Sequence, residues 1–438
     1  MSKICMVGTG YVGLVSGACL ADFGHEVWCV DINQKRIDEL HDGIMPIYEP
    51  GLDTLVEKNV TDQRLHFTTS LAEGMKEADT VFIAVQTPMA DSGAADLKFV
   101  LQVAGEVGAL LDDYKVIVTK STVPVGTSRL VRKAIKESLK GDIDFDLASN
   151  PEFLREGSSI EDFMRPDRVV VGVDSDRAAE VMKDIYRPLY LLETPVVISD
   201  IETAELIKYA ANAFLAVKIS YINELSTLAD SVGANISMIA KAMGLDKRIG
   251  KKFLHAGLGY GGSCLPKDTN ALVHIAETAD CDMSIVRAAI GVNADLPNKA
   301  IAMATQFLPD LSGKTVTLLG LSFKPNTDDI RDAPSRKLVA LLTEAGATLQ
   351  VHDPVAADNF QLEYPELKYC DNAYDAASGS DLCMLVTEWN EYRQLDIPKL
   401  GGLMNNKLFV DCRNVYNKSM FAKYGFDYAS FGRPERDQ

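Results

Sequence analysis

The stretch GYGGSCLPKD, residues 259–268, sets one thiol, Cys264, between three glycines (Gly259, Gly261, Gly262) and a cation–carboxylate pair, Lys267 and Asp268. A free cysteine ionises near pH ~8.5, and a neighbouring cation lowers that value, giving the nucleophilic thiolate. Glycines remove side chains where a second molecule must approach a backbone closely. An adjacent carboxylate takes a proton or holds a water. The combination reads as covalent catalysis at sulfur. Lys267 is equally placed to face a cofactor, and a lone cysteine is more commonly a small core residue.

Two further stretches carry polar groups in apolar company. In ETAELIKYAANAFLAVKIS, Lys208 and Asn212 are spaced i, i+4 and share a helical face. Ala204, Ala216 and Ile219 extend that face. Lys208 either snorkels to the surface or is held for a developing oxyanion. NPEFLREG places Glu152 and Glu156 four residues apart behind a proline, which also suits a plain charged helix start. VQTP (85–88) and KSTVP (120–124) each end an apolar run. Thr87 and Thr122 therefore fall at strand carboxyl ends, where open α/β sheets meet their ligands.

GTGYVG supplies Gly8, Gly10 and Gly13 directly after KICMV and before the helix-compatible LVSGACLADFG. Strand, glycine turn, helix and second strand are the context a dinucleotide fingerprint demands. The first glycine turns the chain, the second admits a pyrophosphate, and the third lets helix and strand pack. Asp31 closes the second strand, 18 residues beyond Gly13. A carboxylate there binds a ribose 2′-hydroxyl and repels a 2′-phosphate, so NAD is expected over NADP. Arg36 close by weakens that discrimination.

The elements that must position these groups follow from periodicity. KICMVG, EVWCVDI, TVFIAV and KVIVTKS are continuous apolar runs, as for parallel strands buried on both faces; residues 97–111 between two of them are amphipathic. From Ile201 the chain runs without Gly or Pro to Gly233, a long spine helix, with more helix to about residue 307. Then TVTLLG, TLQVHD, DLCMLVTEW and LFVDCR resume the βα alternation. EVWCVDI echoes TLQVHDP, each strand closing on an aspartate. The expected fold is α/β: two Rossmann-like doubly wound domains, 1–200 and 308–438, joined by a long central helix and a helical middle domain, 201–307.

The 438 residues, 47% apolar and 24% charged, suit two or three cores. A formal charge of −18 without a basic run argues against nucleic acid or an anionic membrane as partner. No stretch approaches the ~20 apolar residues of a membrane span, and MSKICMVG enters a strand rather than a signal peptide. Eight dispersed cysteines without a CxxC pair and six scattered histidines are read as reduced thiols in a cytosolic protein, with no metal site.

GTGYVG, YEPGL, KSTVPVGT, SNPEFLREGS, KYAANAF, GYGGSCLPKD and GLSFKPNTDDIRDAPS, in this order across nearly the whole chain, resemble the nucleotide-sugar 6-dehydrogenase family. GDP-mannose dehydrogenases share the glycine turn and cysteine loop; FLREGSSIEDFMRPDRVVVG is more similar to the branch acting on UDP-glucose. The resemblance implies oxidation of a sugar C6 alcohol to a carboxylate with two NAD+. It makes Cys264 the nucleophile, Lys208 the oxyanion stabiliser, Asp268 a base acting with water, and Asn212 a holder of the reacting centre. Glu156 assists thioester hydrolysis, with Thr122 near water and nicotinamide. Gly8, Gly10, Tyr11, Val12, Gly13, Asp31, Arg36, Thr87, Thr122, Glu156, Lys267 and Arg331 match cofactor positions. Glu152, Phe153, Leu154, Arg155 and Glu156, then Lys208 and Asn212, then Phe253, Leu254, His255, Ala256, Gly257, Gly261 and Lys324 match positions of the UDP-sugar substrate. Leu265 stands where many relatives carry Phe. FKP replaces a glycine fingerprint in the second Rossmann-like domain, so no second dinucleotide is expected there. The resemblance further implies a homodimer through the central helix and a role in supplying cell-surface polysaccharide precursors.

Overall fold

The computed structural model describes residues 1–90 and 93–434. The chain divides into two compact units, residues 1–211 with 270–280, and residues 212–269 with 281–438.

The first unit is built on β1 (Lys3–Val7), β2 (Glu26–Val30), β3 (Leu65–Thr68), β4 (Thr80–Ile83), β5 (Lys115–Thr119), β6 (Phe145–Ser149), β7 (Val169–Val173) and β8 (Val196–Ser199). They form one sheet in the order β3-β2-β1-β4-β5-β6-β7-β8. The six strands from β3 to β6 are parallel; β7 runs antiparallel to β6, and β8 parallel to β7. The chain reverses its winding between β1 and β4, so the loops after these two strands face one crevice. Apolar residues fill both faces. Met6, Val27, Phe82 and Val118 belong to one core cluster, and Cys5, Val81, Ile83 and Ile117 to another. Two-sided burial is what erased any polar alternation from these strands.

The second unit carries β9 (Thr315–Leu319), β10 (Thr348–His352), β11 (Lys368–Tyr369), β12 (Leu382–Leu385), β13 (Leu408–Asp411) and β14 (Asp427–Ser430). Its sheet, in the order β11-β10-β9-β12-β13-β14, is parallel throughout and repeats the winding of the first. The repeat is geometric but not chemical. Asp353, the counterpart of Asp31 at the end of the second strand, is 3% exposed. Its Oδ2 accepts from Leu321 N, Ser322 N and Trp389 Nε1 at 2.7, 3.1 and 3.0 Å, and its Oδ1 from Val355 N and Ala356 N. Five N–H groups occupy its two oxygens, so the carboxylate serves the fold rather than a ribose.

The spine is a single helix, Ile201–Val232, of 32 residues. Asp200 opens it by accepting from Thr203 N at 2.7 Å, and Gly233, at φ +71°, ends it. Helices Leu265–Thr278 and Ser284–Phe307 follow. No helix among the described residues is long and apolar enough to cross a membrane.

Candidate active site

In the first unit the glycine turn is shaped for an anion. Gly8 has φ +104°, and a Cβ on Gly13 would lie 1.9 Å from Gly8 O, so neither position admits a side chain. A Cβ on Gly10 would meet nothing within 4 Å. That side of the turn is open, at the start of helix Tyr11–Asp22, where unpaired N–H groups and the helix dipole favour a pyrophosphate. Asp31 Oδ2 accepts from Thr9 N at 2.9 Å and Thr9 Oγ1 at 2.8 Å; Oδ1 accepts from Asn33 N at 3.0 Å; Arg36 Nη1 lies 3.3 Å from Oδ2. Burial alone would raise the Asp31 carboxyl, but the Thr9 and Asn33 donors and Arg36 outweigh it and hold the group below its ordinary value. An open glycine cradle and an ionised carboxylate fit NAD. Tyr11 and Val12 differ from the glycines around them. Val12 packs on the core, and the Tyr11 hydroxyl is engaged by Glu49 and Ser159.

Beyond β4 and β5, Thr87 Oγ1 donates to Thr122 O at 2.9 Å, fastening the two strand-end loops together. Glu205, on the spine, is 2% exposed and accepts from Gly126 N at 2.6 Å and from Ser128 N and Oγ at 3.1 and 2.6 Å. It anchors the loop that carries Thr122. Lys208, one turn further along, donates to Glu152 Oε1 at 3.1 Å. In the same loop Phe153 lies under the Arg168 guanidinium at 3.6 Å, Leu154 packs on the core, and Arg155 pairs with Asp162 at 2.5 Å. Glu156 is half-buried. Lys120, 2% exposed, donates to Asn150 Oδ1 at 3.1 Å, where the Tyr186 hydroxyl also donates. Burial pushes its ammonium down to about 8; Lys208 adds to the fall and Glu152 opposes it.

In the second unit the cysteine loop is pinned at several points. Gly257 N donates to Asn223 Oδ1 at 2.8 Å, Leu258 N to Cys412 O at 2.9 Å, Tyr260 N to Asn293 Oδ1 at 2.9 Å and Gly262 N to Arg331 O at 2.8 Å. Arg413 Nη1 donates to Gly259 O at 3.0 Å. A Cβ on Gly261 would lie 2.2 Å from Asp332 O. The glycine there answers the neighbouring backbone, not only a ligand. Cys264 directly precedes helix Leu265–Thr278, its carbonyl accepting from Asp268 N at 2.8 Å. Pro266 in the first turn suits such a start, and the helix dipole favours negative charge at that end. Cys264 is half-buried, whereas Cys5, Cys19, Cys29, Cys383 and Cys412 are buried, where desolvation pushes their thiols up.

Asp268, 1% exposed, has both oxygens engaged: Asn212 Nδ2 donates to Oδ2 at 2.6 Å and Lys267 Nζ to Oδ1 at 2.7 Å. The ammonium of Lys267 thus lies on its neighbouring carboxylate. Of residues 253–257, Leu254 and Ala256 turn into the core, while His255 is exposed and Phe253 takes φ +65°, a conformation costly for a bulky residue and concentrated at functional sites. Lys324 Nζ lies 5.4 Å from the centre of the Phe323 ring, and Arg331 grips Asp329 at 2.7 Å.

The sequence reading passed over Glu49, Lys120, Glu205 and Arg413. Glu49 and Lys120 stand inside quoted motifs, YEPGL and KSTVP. Glu205 has no local signal, because its partners lie about 80 positions away.

The chain matches the models of three domains of the UDP-glucose/GDP-mannose dehydrogenase family: the NAD binding domain over residues 2–190, the central domain over 202–295 and the UDP binding domain over 317–418. It is 50% identical over 440 residues to the UDP-glucose 6-dehydrogenase of Rhizobium meliloti (strain 1021), covering 99% of this chain and 100% of that one. It is 43% identical to UDP-glucose 6-dehydrogenase TuaD of Bacillus subtilis (strain 168), covering 99% of this chain and 94% of that one. A solved UDP-glucose dehydrogenase from the hyperthermophilic archaeon Pyrobaculum islandicum superposes with a TM-score of 0.91 at 38% identity, covering 98% of this chain and 97% of that one. The chain belongs to the UDP-glucose/GDP-mannose dehydrogenase family of NAD-dependent oxidoreductases.

Proposed function

We propose that this enzyme oxidises the C6 alcohol of UDP-glucose to the carboxylate, passing through a covalent adduct on Cys264. NAD+, when bound, accepts a hydride in each of two rounds. Asp268, through water, takes the proton of the C6 hydroxyl as the first hydride leaves. The Cys264 thiolate adds to the aldehyde carbon, Lys208 stabilises the resulting oxyanion, and Asn212 helps to hold the reacting centre. Loss of the second hydride from that thiohemiacetal leaves a thioester. Water assisted by Glu156, with Thr122 beside it, cleaves the thioester, and sulfur departs as the thiolate.

The observation that carries this reading is the setting of Cys264. It is a half-buried thiol at a helix start, on a loop whose backbone is fixed from Gly257 to Gly262. A cysteine with only a packing role needs none of this. The names of the relatives support the substrate. The reducing cytosol suits an enzyme whose thiol must stay free.

We also propose that two copies pair through the spine. Phe214, Tyr221, Leu228 and Val232 are 65%, 51%, 55% and 66% exposed on that one helix, at spacings of seven and four that put them on a single stripe.

Stoichiometry tests the reading. UDP-glucose, UDP-N-acetyl sugars and GDP-mannose are each incubated with NAD+, and NADH is counted per sugar. UDP-glucose is expected to yield two. Two NADH from another nucleotide sugar alone would move the substrate within the family, and one NADH per sugar would overturn the covalent route.

A further inference from the structure

The YEPGL motif has no part in the chemistry above, yet its glutamate is among the most heavily engaged side chains of the first unit. Glu49 is 7% exposed. Its Oε1 accepts from Ser159 N at 2.7 Å, and its Oε2 accepts from Gly157 N at 2.6 Å and from the Tyr11 hydroxyl. That hydroxyl also receives Gly157 N at 3.0 Å and lies 3.2 Å from Ser159 Oγ. Tyr11 is the first residue of the helix that follows the glycine turn. One carboxylate and one phenol thus tie the turn proposed for the pyrophosphate to residues 157–159.

Those residues directly follow Glu156. On its other side Arg155 N donates to Asp162 Oδ2 at 2.9 Å. The backbone is therefore fixed immediately before and immediately after Glu156, and the later of the two anchors is Glu49. The carboxylate is the one group that can accept all three donors. A glutamine in its place would offer an NH2 to at least one N–H, which then loses its partner. Burial, and next Glu49, push the Tyr11 phenol well above its ordinary value, so its proton stays on oxygen and remains available to Glu49.

We propose that Glu49, held by Tyr11, is a positioning residue that fixes Glu156 for cleavage of the thioester and couples that loop to the glycine turn. This rests on the role assigned above to Glu156. Glu49 takes no part in transferring hydride or in attack by sulfur, so the three steps before hydrolysis should proceed without it.

The test compares the native enzyme with Glu49→Gln, Tyr11→Phe and Glu156→Gln, given UDP-glucose and NAD+. The rate of the first NADH, steady-state turnover, and the fraction of Cys264 carrying a sugar adduct in quenched samples by mass spectrometry are measured. E49Q and Y11F are expected to slow turnover by about 10- to 100-fold, the scale set by misplacing a catalytic group by an ångström or less. In E49Q the first NADH should form at its native rate and the KM for UDP-glucose should stay within about twofold. In Y11F, whose residue also matches a cofactor position, the readout is the ratio of steady-state turnover to first-NADH rate, which should fall as in E49Q. In both the Cys264 adduct should accumulate as in E156Q. Should E49Q fail to fold, Y11F carries the test, since it keeps the ring and removes one hydroxyl. An adduct in E156Q but not in E49Q or Y11F overturns the positioning role alone. No adduct in E156Q overturns the role of Glu156 and this proposal with it.

Discussion

Lys208 and Glu152 form an ion pair at 3.1 Å with side chains only 4% and 6% exposed. The group proposed to stabilise an oxyanion is thus already paired with a carboxylate, and its effects on folding and on turnover can be separated. Lys208→Ala should destabilise the protein by roughly 3 kcal/mol, because buried Glu152 loses its paired cation and keeps Lys120 as a neighbouring charge. Lys208→Met with Glu152→Gln removes both charges and should recover most of that loss. Turnover in the double variant should stay depressed by about 10²- to 10³-fold, the range for losing one oxyanion donor. Urea denaturation beside steady-state kinetics reads both; turnover that returns along with stability would contradict the oxyanion role.

Lys120 gives a prediction in pH. Its folded ammonium is pushed down to about 8 from an ordinary 10.5. Between those values the unfolded chain binds more protons than the folded one, so this residue makes stability rise with pH across that window. Below it the full penalty remains, on the order of 3 kcal/mol. Lys120→Met should remove the slope, while Asn150 Oδ1 keeps the Tyr186 hydroxyl as donor. Stability measured at pH 7, 8, 9 and 10 for both proteins should converge toward the alkaline end. Parallel curves would mean that Lys120 titrates as in water.

The strands and the glycine turn could be read from sequence because two-sided burial and a backbone-bound pyrophosphate each leave a local trace: continuous apolar runs in the first case, Gly8, Gly10 and Gly13 in the second. KICMVG and TVTLLG contain β1 and β9. LHFT, FDLAS and VVIS, which form β3, β6 and β8, were not read as strands: His66 and Asp146 break the first two apolar runs, and β8 is a partly exposed edge strand; VVVGV, which forms β7, was passed over as well. Residues of the candidate site that share one motif could be named together from sequence, as with Cys264, Lys267 and Asp268, of which the last two are in contact. What stayed hidden is who holds whom. Lys208 with Glu152, and Asn212 with Asp268, are each 56 positions apart, a separation that no periodicity encodes. The glycines of the cysteine loop carried a mixed message, since Gly261 is needed by Asp332 O whatever the ligand.

The exposed stripe of the spine leads to a prediction of assembly. Phe214→Glu with Leu228→Glu places two charges among apolar side chains that a partner would cover. The variant should sediment as a monomer while its far-ultraviolet circular dichroism stays native, since neither residue belongs to the buried core. An unchanged native mass in both proteins would refute pairing through this helix.

Asp31 and Arg36 together set the last expectation, on cofactor choice. The Arg36 guanidinium already lies 3.3 Å from Asp31 Oδ2, so the cation that could receive a 2′-phosphate is held by the carboxylate that would repel one. NADP+ should be a poorer cofactor than NAD+ by about two orders of magnitude in kcat/KM, since a phosphate placed against the Asp31 carboxylate costs a few kcal/mol. Asp31→Ser removes the repulsion and at the same time releases Arg36 for a charge-assisted contact to phosphate. The preference should then narrow to within about tenfold. Asp31→Ser with Arg36→Ala should lose the gain with NADP+ while keeping the weakened use of NAD+. Equal efficiency of the native enzyme with both cofactors, or no narrowing in Asp31→Ser, would place the ribose somewhere other than Asp31.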